Sequence, residues 1–458
     1  MTDPTSPKIL GPGEHGIEPD QVDTNAAEVT QGLHDAGYQA YLVGGCVRDM
    51  LLGVKPKDFD IATNATPEEV KQIFRRSRLV GRRFRIAHVR FGREIIEVST
   101  FRKHYAEHDG EFNVQSEDGL VLSDNVYGTL EDDVFRRDFT INALYYNPQE
   151  DTLFDYVEGL KDLANKRLRL IGKPSARFRE DPVRILRAAR FTAKLDFTPD
   201  DELLSAIPAI AELLTAIPPA RLFDECCKLF LGGYAENCWQ QLTDLELAPI
   251  LFPTTDPEDP MIALAMRSTD ERVAQGKPVT PGYLFAVLLW PDYQSRIHEL
   301  LSQNNMVEAQ HSSSNASLAE QQLTVAIPRR FGQFIKDTWM LQSRLEKRAP
   351  KNLKRILGHP KFRAAYDFFV LRSQCGEADP ETATWWTEIQ KENIQPERHP
   401  DDDTGENRDR NQDRNKDGNT EHRAEGEEGS ADKPPRKRRR RRRRTRGRGN
   451  SPQELNPT

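Results

Sequence analysis

The sequence predicts a small α/β head built on a mixed sheet, followed by a mainly α-helical body and a disordered basic tail. Three observations carry that reading. Strand and turn patterns occupy residues 25–160, apolar residues recur at helical spacing beyond 161, and beyond Glu397 aromatic residues stop while charge becomes dense. The expected divisions are a flexible N-terminus rich in Pro, Gly and Asp over 1–24, the head over 25–160, a helical neck over 161–235, a helical body over 236–395 and the tail over 396–458.

In the head, Tyr38 to Val43 reads as a strand, Gly44-Gly45 as a turn and Val47 to Leu52 as a helix. A double glycine lets backbone amides approach a phosphate, and the helix after it offers its N-terminal amides and positive dipole end. Asp58-Phe59-Asp60 comes next. Side chains alternate faces along a strand, so Asp58 and Asp60 share one face while Phe59 points into the core. Like charges held so close raise one another's pKa unless a cation neutralises them, and hard divalent ions prefer carboxylate oxygen. Magnesium is the expected ion, with manganese the other choice. A glycine pair before a helix is a common turn, and a lone Asp-x-Asp is often a solvated loop. Their occurrence together, in this order, points to metal-dependent nucleotide transfer.

Phe84 to Phe91 and Glu94 to Val98 read as strands paired about Gly92, and Glu97 sits among β-branched neighbours. A carboxylate inside an apolar strand is costly without a partner. Metal is the partner in one reading, and a nearby arginine in the plainer one. With three acids and two ions, an attacking hydroxyl is activated, the triphosphate and leaving pyrophosphate are stabilised, and displacement occurs in line at the α-phosphorus. The head is therefore read as a nucleotidyltransferase.

In the neck, Asp181, Arg184 and Arg187 are spaced by three and share one face of a helix running through Arg184 to Leu195. A carboxylate pinning a guanidinium makes a planar array of donors and acceptors that matches the edge of adenine. The plainer reading is architecture, with Asp181 as N-cap, Pro182 in the first turn and Arg184 in a surface ion pair.

Four runs together carry a family resemblance: Tyr41 to Asp49, Asp58-x-Asp60, Arg136-Arg137-Asp138-Phe139-Thr140-Ile141-Asn142-Ala143-Leu144, and Glu180-Asp181-Pro182-Val183-Arg184-Ile185-Leu186-Arg187. In this order, over residues 25–235, they resemble the class II nucleotidyltransferases, which include bacterial poly(A) polymerases and CCA-adding enzymes. The resemblance implies that Asp58 and Asp60 hold the metals with Glu97 as third catalytic carboxylate, and that Gly44, Gly45 and Arg48 face the triphosphate of ATP. It implies further that Arg137, Asp138 and Asn142 contact the nucleotide's phosphate and sugar, and that Asp181 and Arg184, with Arg187 beside them, read its base edge. Leu79-Val80-Gly81-Arg82-Arg83-Phe84-Arg85-Ile86-Ala87-His88-Val89 resembles the stretch that separates the poly(A) polymerases from the CCA-adding group, whose helical Glu-x-x-Glu pattern we do not find. His88 reads as structural. Untemplated addition of AMP to RNA 3′ ends is the expected activity. A CCA-adding enzyme is the second choice and a catalytically silent RNA-binding scaffold the third.

In the body, apolar stripes such as Leu203, Ile207, Ile210 and Leu214, then Phe331, Phe334, Ile335, Thr338 and Leu341, then Phe362, Ala365, Tyr366 and Phe369, read as helix core. The 458 residues carry a net charge of −7, yet Lys433 to Thr458 holds 12 basic residues against the single acid Glu454, so residues 1–432 carry −18. An acidic chain repels RNA at long range, so binding must come from local patches. One is Lys71 to Lys103, with 11 basic residues, Arg82 and Arg83 among them, against Glu94 and Glu97. The other is the tail with its run Arg438, Arg439, Arg440, Arg441 through Arg444. Its plainer reading is a localisation or partner-docking segment, and an RNA-decay or chaperone protein is an expected partner besides RNA. Five cysteines without zinc or disulfide spacing, no signal peptide and no bilayer-length apolar run predict a cytoplasmic protein.

Overall fold

The computed structural model describes residues 6–81, 85–103, 126–302, 304–348 and 353–393. Eight short strands form the head sheet: β1 (Lys8–Leu10), β2 (Ala40–Val43), β3 (Asp60–Thr63), β4 (Ser77–Val80), β5 (Ile86–Phe91), β6 (Glu94–Thr100), β7 (Leu144–Asn147) and β8 (Thr152–Asp155). They lie in the order β1-β8-β7-β2-β3-β6-β5-β4. The sheet is mixed because β3 and β6 pair parallel while the other neighbours pair antiparallel.

One row of register partners crosses every strand: Ile9, Phe154, Tyr145, Val43, Asp60, Glu97, His88, Arg78. Directly opposite residues share a face, so this row is apolar or aromatic along half its length and ionisable along the other half. The opposite face buries Ile61, Ile96, Val98 and Val89 against Val29 and Leu33 of α1 (Thr24–Asp35), Val47 and Met50 of α2 (Gly45–Leu51) and Val70 of α3 (Pro67–Ile73). Two of these helices, α1 and α3, start where side chains satisfy their first amides. Asp23 accepts from Asn25 and Ala26, and Thr66 forms a capping box with Glu69. On the row's own face Val43, Ala62, Phe101 and Tyr145 pack with Val134 of α4 (Leu130–Arg136).

The N-terminal expectation is corrected here. Lys8–Leu10 pairs with β8, and His15 and Ile17 are buried, so residues 8–24 belong to the head. Without β1, strand β8 would present a bare edge. The glycines that suggested mobility serve turns, with Gly13 and Gly16 at φ +77° and +79°.

After α5 (Gly159–Ala164) the chain is almost wholly helical, beginning with α6 (Pro174–Glu180) and α7 (Val183–Leu195). One apolar cluster extends from Phe139 to Leu371, across the expected divisions at 160/161 and 235/236. The predicted stripe Leu203, Ile207, Ile210 and Leu214 is buried, but not as one helix: Asp201–Ala206 is α-helical and Ala211–Ala216 is a 3-10 helix. Pro208 lies between them and cannot donate the bond that would join them. Ile335, Thr338, Leu341, Phe362, Ala365, Tyr366 and Phe369 are likewise buried. No helix among the described residues is long and apolar enough to cross a membrane.

Candidate active site

Val43 pairs with Asp60, so the glycine turn that follows β2 leaves the sheet beside the first residue of β3. Gly44 adopts φ +81°, ψ −130°, a conformation closed to residues with a side chain. A Cβ at that position would lie 3.9 Å from Asp60 Oδ2 and 3.8 Å from Arg137 Nη1. The turn, one carboxylate and one guanidinium therefore converge on a single spot.

Asp60 and Glu97 are register partners on the parallel strands β3 and β6 and project to the same face. Asp58 is exposed just ahead of β3, with Phe59 between the two aspartates packed into the core, as the alternation requires. Desolvation by the surrounding protein, then the neighbouring Glu97 carboxylate, push the Asp60 carboxyl up from 3.8 to about 6, against the pull of Arg137 and with a smaller push from Asp58. Asp60 nevertheless opens to solvent at its surface.

Contrary to the expectation from its β-branched neighbours, Glu97 is not an expensively buried acid: its side chain is 52% exposed. What singles it out is its register with Asp60. Its near neighbour is His88, with Nε2 3.3 Å from Oε1, and among the described residues no arginine pairs with it. Among the described residues no group of three or more His, Cys, Asp or Glu is already gathered as a metal site. The donor set nonetheless suits a hard divalent cation: three carboxylates on one side of the sheet repel one another, and a cation between them removes the repulsion.

Arg48 lies deeper than a phosphate-facing residue. It is 2% exposed, its Nε and Nη2 donate to Asp49 Oδ1 at 2.9 and 2.6 Å, and its Nη1 donates to Asn142 Oδ1 at 2.7 Å. It thus ties α2 to the short turn Thr140–Asn142. Arg137 donates through Nε to Tyr145 Oη at 2.6 Å and through Nη2 to Asp133 Oδ2 at 3.0 Å, which leaves Nη1 toward Gly44. Asp133 is fully buried and also accepts from Arg136 Nε at 2.7 Å and Tyr145 Oη at 2.6 Å. Burial alone would raise its pKa, but Arg137, Arg136 and the Tyr145 hydroxyl hold it well below the usual carboxylate range. Asp138 behaves alike. Burial opposes ionisation, but the Arg187 guanidinium 2.6 Å away and the Phe139 amide keep the carboxyl low.

At the neck, α7 begins at Val183, one residue before the expected start. The expected Asp181–Arg184 array takes a different form. Arg184 Nη1 donates to Glu180 Oε2 at 2.8 Å and to the Arg177 carbonyl at 2.6 Å, while Asp181 pairs with Arg221 at 2.6 Å. Arg177, 4% exposed, donates to the same Glu180 oxygen at 2.6 Å and to the carbonyls of Arg136 and Arg137 at 2.6 and 2.7 Å. Asp133, Tyr145, Arg177, Glu180 and Arg221 escaped the sequence reading. Asp133 and Glu180 stand four residues before Arg137 and Arg184 and carried a helical-pair signal, whereas Arg221 carried none. Arg82, Arg83 and Arg438, Arg439, Arg440 and Arg441 lie outside the described residues.

Comparison with known proteins adds three family matches: "Poly A polymerase head domain" over residues 40–169, "Probable RNA and SrmB- binding site of polymerase A" over 196–259 and "Polymerase A arginine-rich C-terminus" over 302–446. The chain is 45% identical over 399 residues to poly(A) polymerase I of Haemophilus influenzae, covering 84% of this chain and 88% of that protein. To the CCA-adding enzyme of Lactobacillus helveticus it is 38% identical over 223 residues, 49% of this chain and 54% of that protein. The crystal structure of the Bacillus stearothermophilus CCA-adding enzyme in complex with CTP superposes with TM-score 0.56 at 25% identity, over 81% of this chain and 82% of that one.

Proposed function

This chain belongs to the poly(A) polymerase family, and on that premise we propose that its head transfers AMP from ATP to RNA 3′ ends without a template and releases pyrophosphate. It is a polynucleotide adenylyltransferase. The observation that carries the site assignment is the register of Asp60 with Glu97 beside the Gly44 turn.

In this reading Asp58 and Asp60 hold the divalent ions, magnesium or manganese, with Glu97 as third carboxylate. Ions so held supply Lewis-acid activation of the RNA 3′ hydroxyl and neutralise charge on the triphosphate. Gly44 and Gly45 let backbone amides approach the phosphates, and Arg137, clamped by Asp133 and Tyr145, aims its remaining nitrogen at that spot. Arg48 acts from below by fixing Asn142, the residue assigned to the sugar. Asp138 and Arg187 tie the head to α7, where Arg184 and Asp181 present the base-reading edge, each oriented by a second partner, Glu180 and Arg221 respectively.

The neck over 161–235 then reads the base, and the body over 236–395 with Arg82, Arg83 and the tail run Arg438 to Arg441 engages RNA phosphates without regard to sequence. The stretch 196–259, whose family match is described by RNA and SrmB binding, is where we place a protein partner of the RNA-decay or chaperone class. A cytoplasmic setting, where RNA and ATP are both at hand, is part of the same proposal. Incubating the protein with magnesium, an oligo(A) primer or tRNA, and ATP or CTP tests the whole. A long ladder with ATP alone supports this reading, short CTP-dependent addition on tRNA would replace it with CCA addition, and no product would leave an RNA-binding scaffold.

A further inference from the structure

His88 closes the Leu79 to Val89 stretch and has no part in the chemistry so far. It stands next to Glu97 in the row that crosses the sheet, on the side away from Asp60. Its Nε2 lies 3.3 Å from Glu97 Oε1, and its side chain, 25% exposed, is more enclosed than the glutamate it touches. Among the described residues no lysine or arginine pairs with Glu97. A half-exposed glutamate has three torsions to settle, and nothing in the strand itself decides where its carboxylate points. Asp60 differs, since its shorter side chain starts at the glycine turn with Arg137 nearby. Register pairing fixes the backbone of Glu97, but only a side-chain partner fixes its oxygens.

We propose that His88 is a positioning residue for the transfer reaction: its imidazole holds Glu97 Oε1 and so turns Oε2 toward the Asp60 carboxylate. The 3.3 Å approach engages one glutamate oxygen and leaves the other for the site. Arg78, the register partner of His88 on β4, ends the row at the sheet edge, and Ile86 and Arg90 flank the ring along β5. Partners of this kind aim an acid that meets a cation without touching the cation themselves. The inference rests on Glu97 being the third catalytic carboxylate.

The experiment compares the full chain with His88→Ala, His88→Gln, Glu97→Gln and the double variant His88→Ala/Glu97→Gln. The readouts are kcat and KM for ATP on an oligo(A) primer, Mn2+ affinity without ATP by electron paramagnetic resonance, and Tm. His88→Ala is expected to lower kcat about tenfold and weaken Mn2+ binding severalfold, with KM for ATP and Tm nearly unchanged. His88→Gln should recover most of the loss, since its amide can donate to the same oxygen. The double variant should be no slower than Glu97→Gln alone. Parental kcat and Mn2+ affinity in His88→Ala, no recovery with glutamine, or losses that multiply in the double variant would overturn the proposal while leaving Glu97 catalytic. A Glu97→Gln enzyme at parental rate would overturn the Glu97 assignment and that of His88 with it.

Discussion

Two sets of carboxylates in the head are treated in opposite ways. Asp133 and Asp138 are buried and met by Arg136, Arg137 and Arg187, which hold them ionised. Asp60 faces Glu97 and Asp58, and its carboxyl rises to about 6. An acid surrounded by cations in the folded chain supports architecture, and its charge is already balanced. Acids set against one another are balanced only when something from outside arrives, which is the signature of a site for a cation and an anionic substrate.

The largest effect is expected at Asp60. Asp60→Ala should reduce AMP transfer by about a thousandfold, since a metal-held transition-state charge is worth several kcal/mol, while Tm in metal-free buffer stays level or rises. A clear fall in Tm would move Asp60 into the architectural set. The mirror experiment is Asp133→Ala, which removes the buried acceptor shared by Arg136, Arg137 and Tyr145 and should cost about 3 kcal/mol in urea unfolding. Unchanged stability would show that those cations find other partners.

Protonation sharpens the same contrast. Asp60 binds its proton more tightly folded than unfolded, so its contribution makes stability fall as pH rises from its ordinary 3.8 to about 6. Asp133 and Asp138 bind theirs less tightly, so their contribution is present above about pH 4 and is lost as pH falls below it. In metal-free buffer the Tm of the parent relative to Asp60→Asn should therefore drop between about pH 4 and 6, and magnesium should remove that drop. Parallel curves would put the Asp60 carboxyl at its ordinary value.

The smallest effects belong to the neck, where a paired acid and a functional guanidinium meet. Arg184→Ala should narrow the preference for ATP over CTP by about tenfold, and Glu180→Gln, which loosens Arg184 together with Arg177, by about threefold. Equal preference in variant and parent would assign both residues to helix architecture.

Much of this was legible as text because it depends on near neighbours. Alternation along a strand placed Phe59 in the core between two aspartates, a double glycine marked the turn, and three-residue spacing marked α7. Composition misled at residues 8–24, where turn-forming residues flank a strand whose pairing partner lies far along the chain. Burial misled at Glu97, because a run of β-branched residues does not reveal which face of the sheet is covered. Arg221 reaches Asp181 from another helix, and no spacing rule connects them.

The chain alone determined which side chains were available: the Asp58-Asp60 pair, the glycine elbow, the arginines of the third and fourth motifs, and the division into sheet-forming and helical stretches. Which of them meet was decided by the folded sheet and its helices. Parallel pairing of β3 with β6 sets Glu97 opposite Asp60, β5 adds His88 beyond it, and the neck exchanges the expected partner of Arg184 for Glu180. Local spacing follows from bond geometry over a few residues, whereas strand register and helix docking are settled by burying apolar faces across the whole domain.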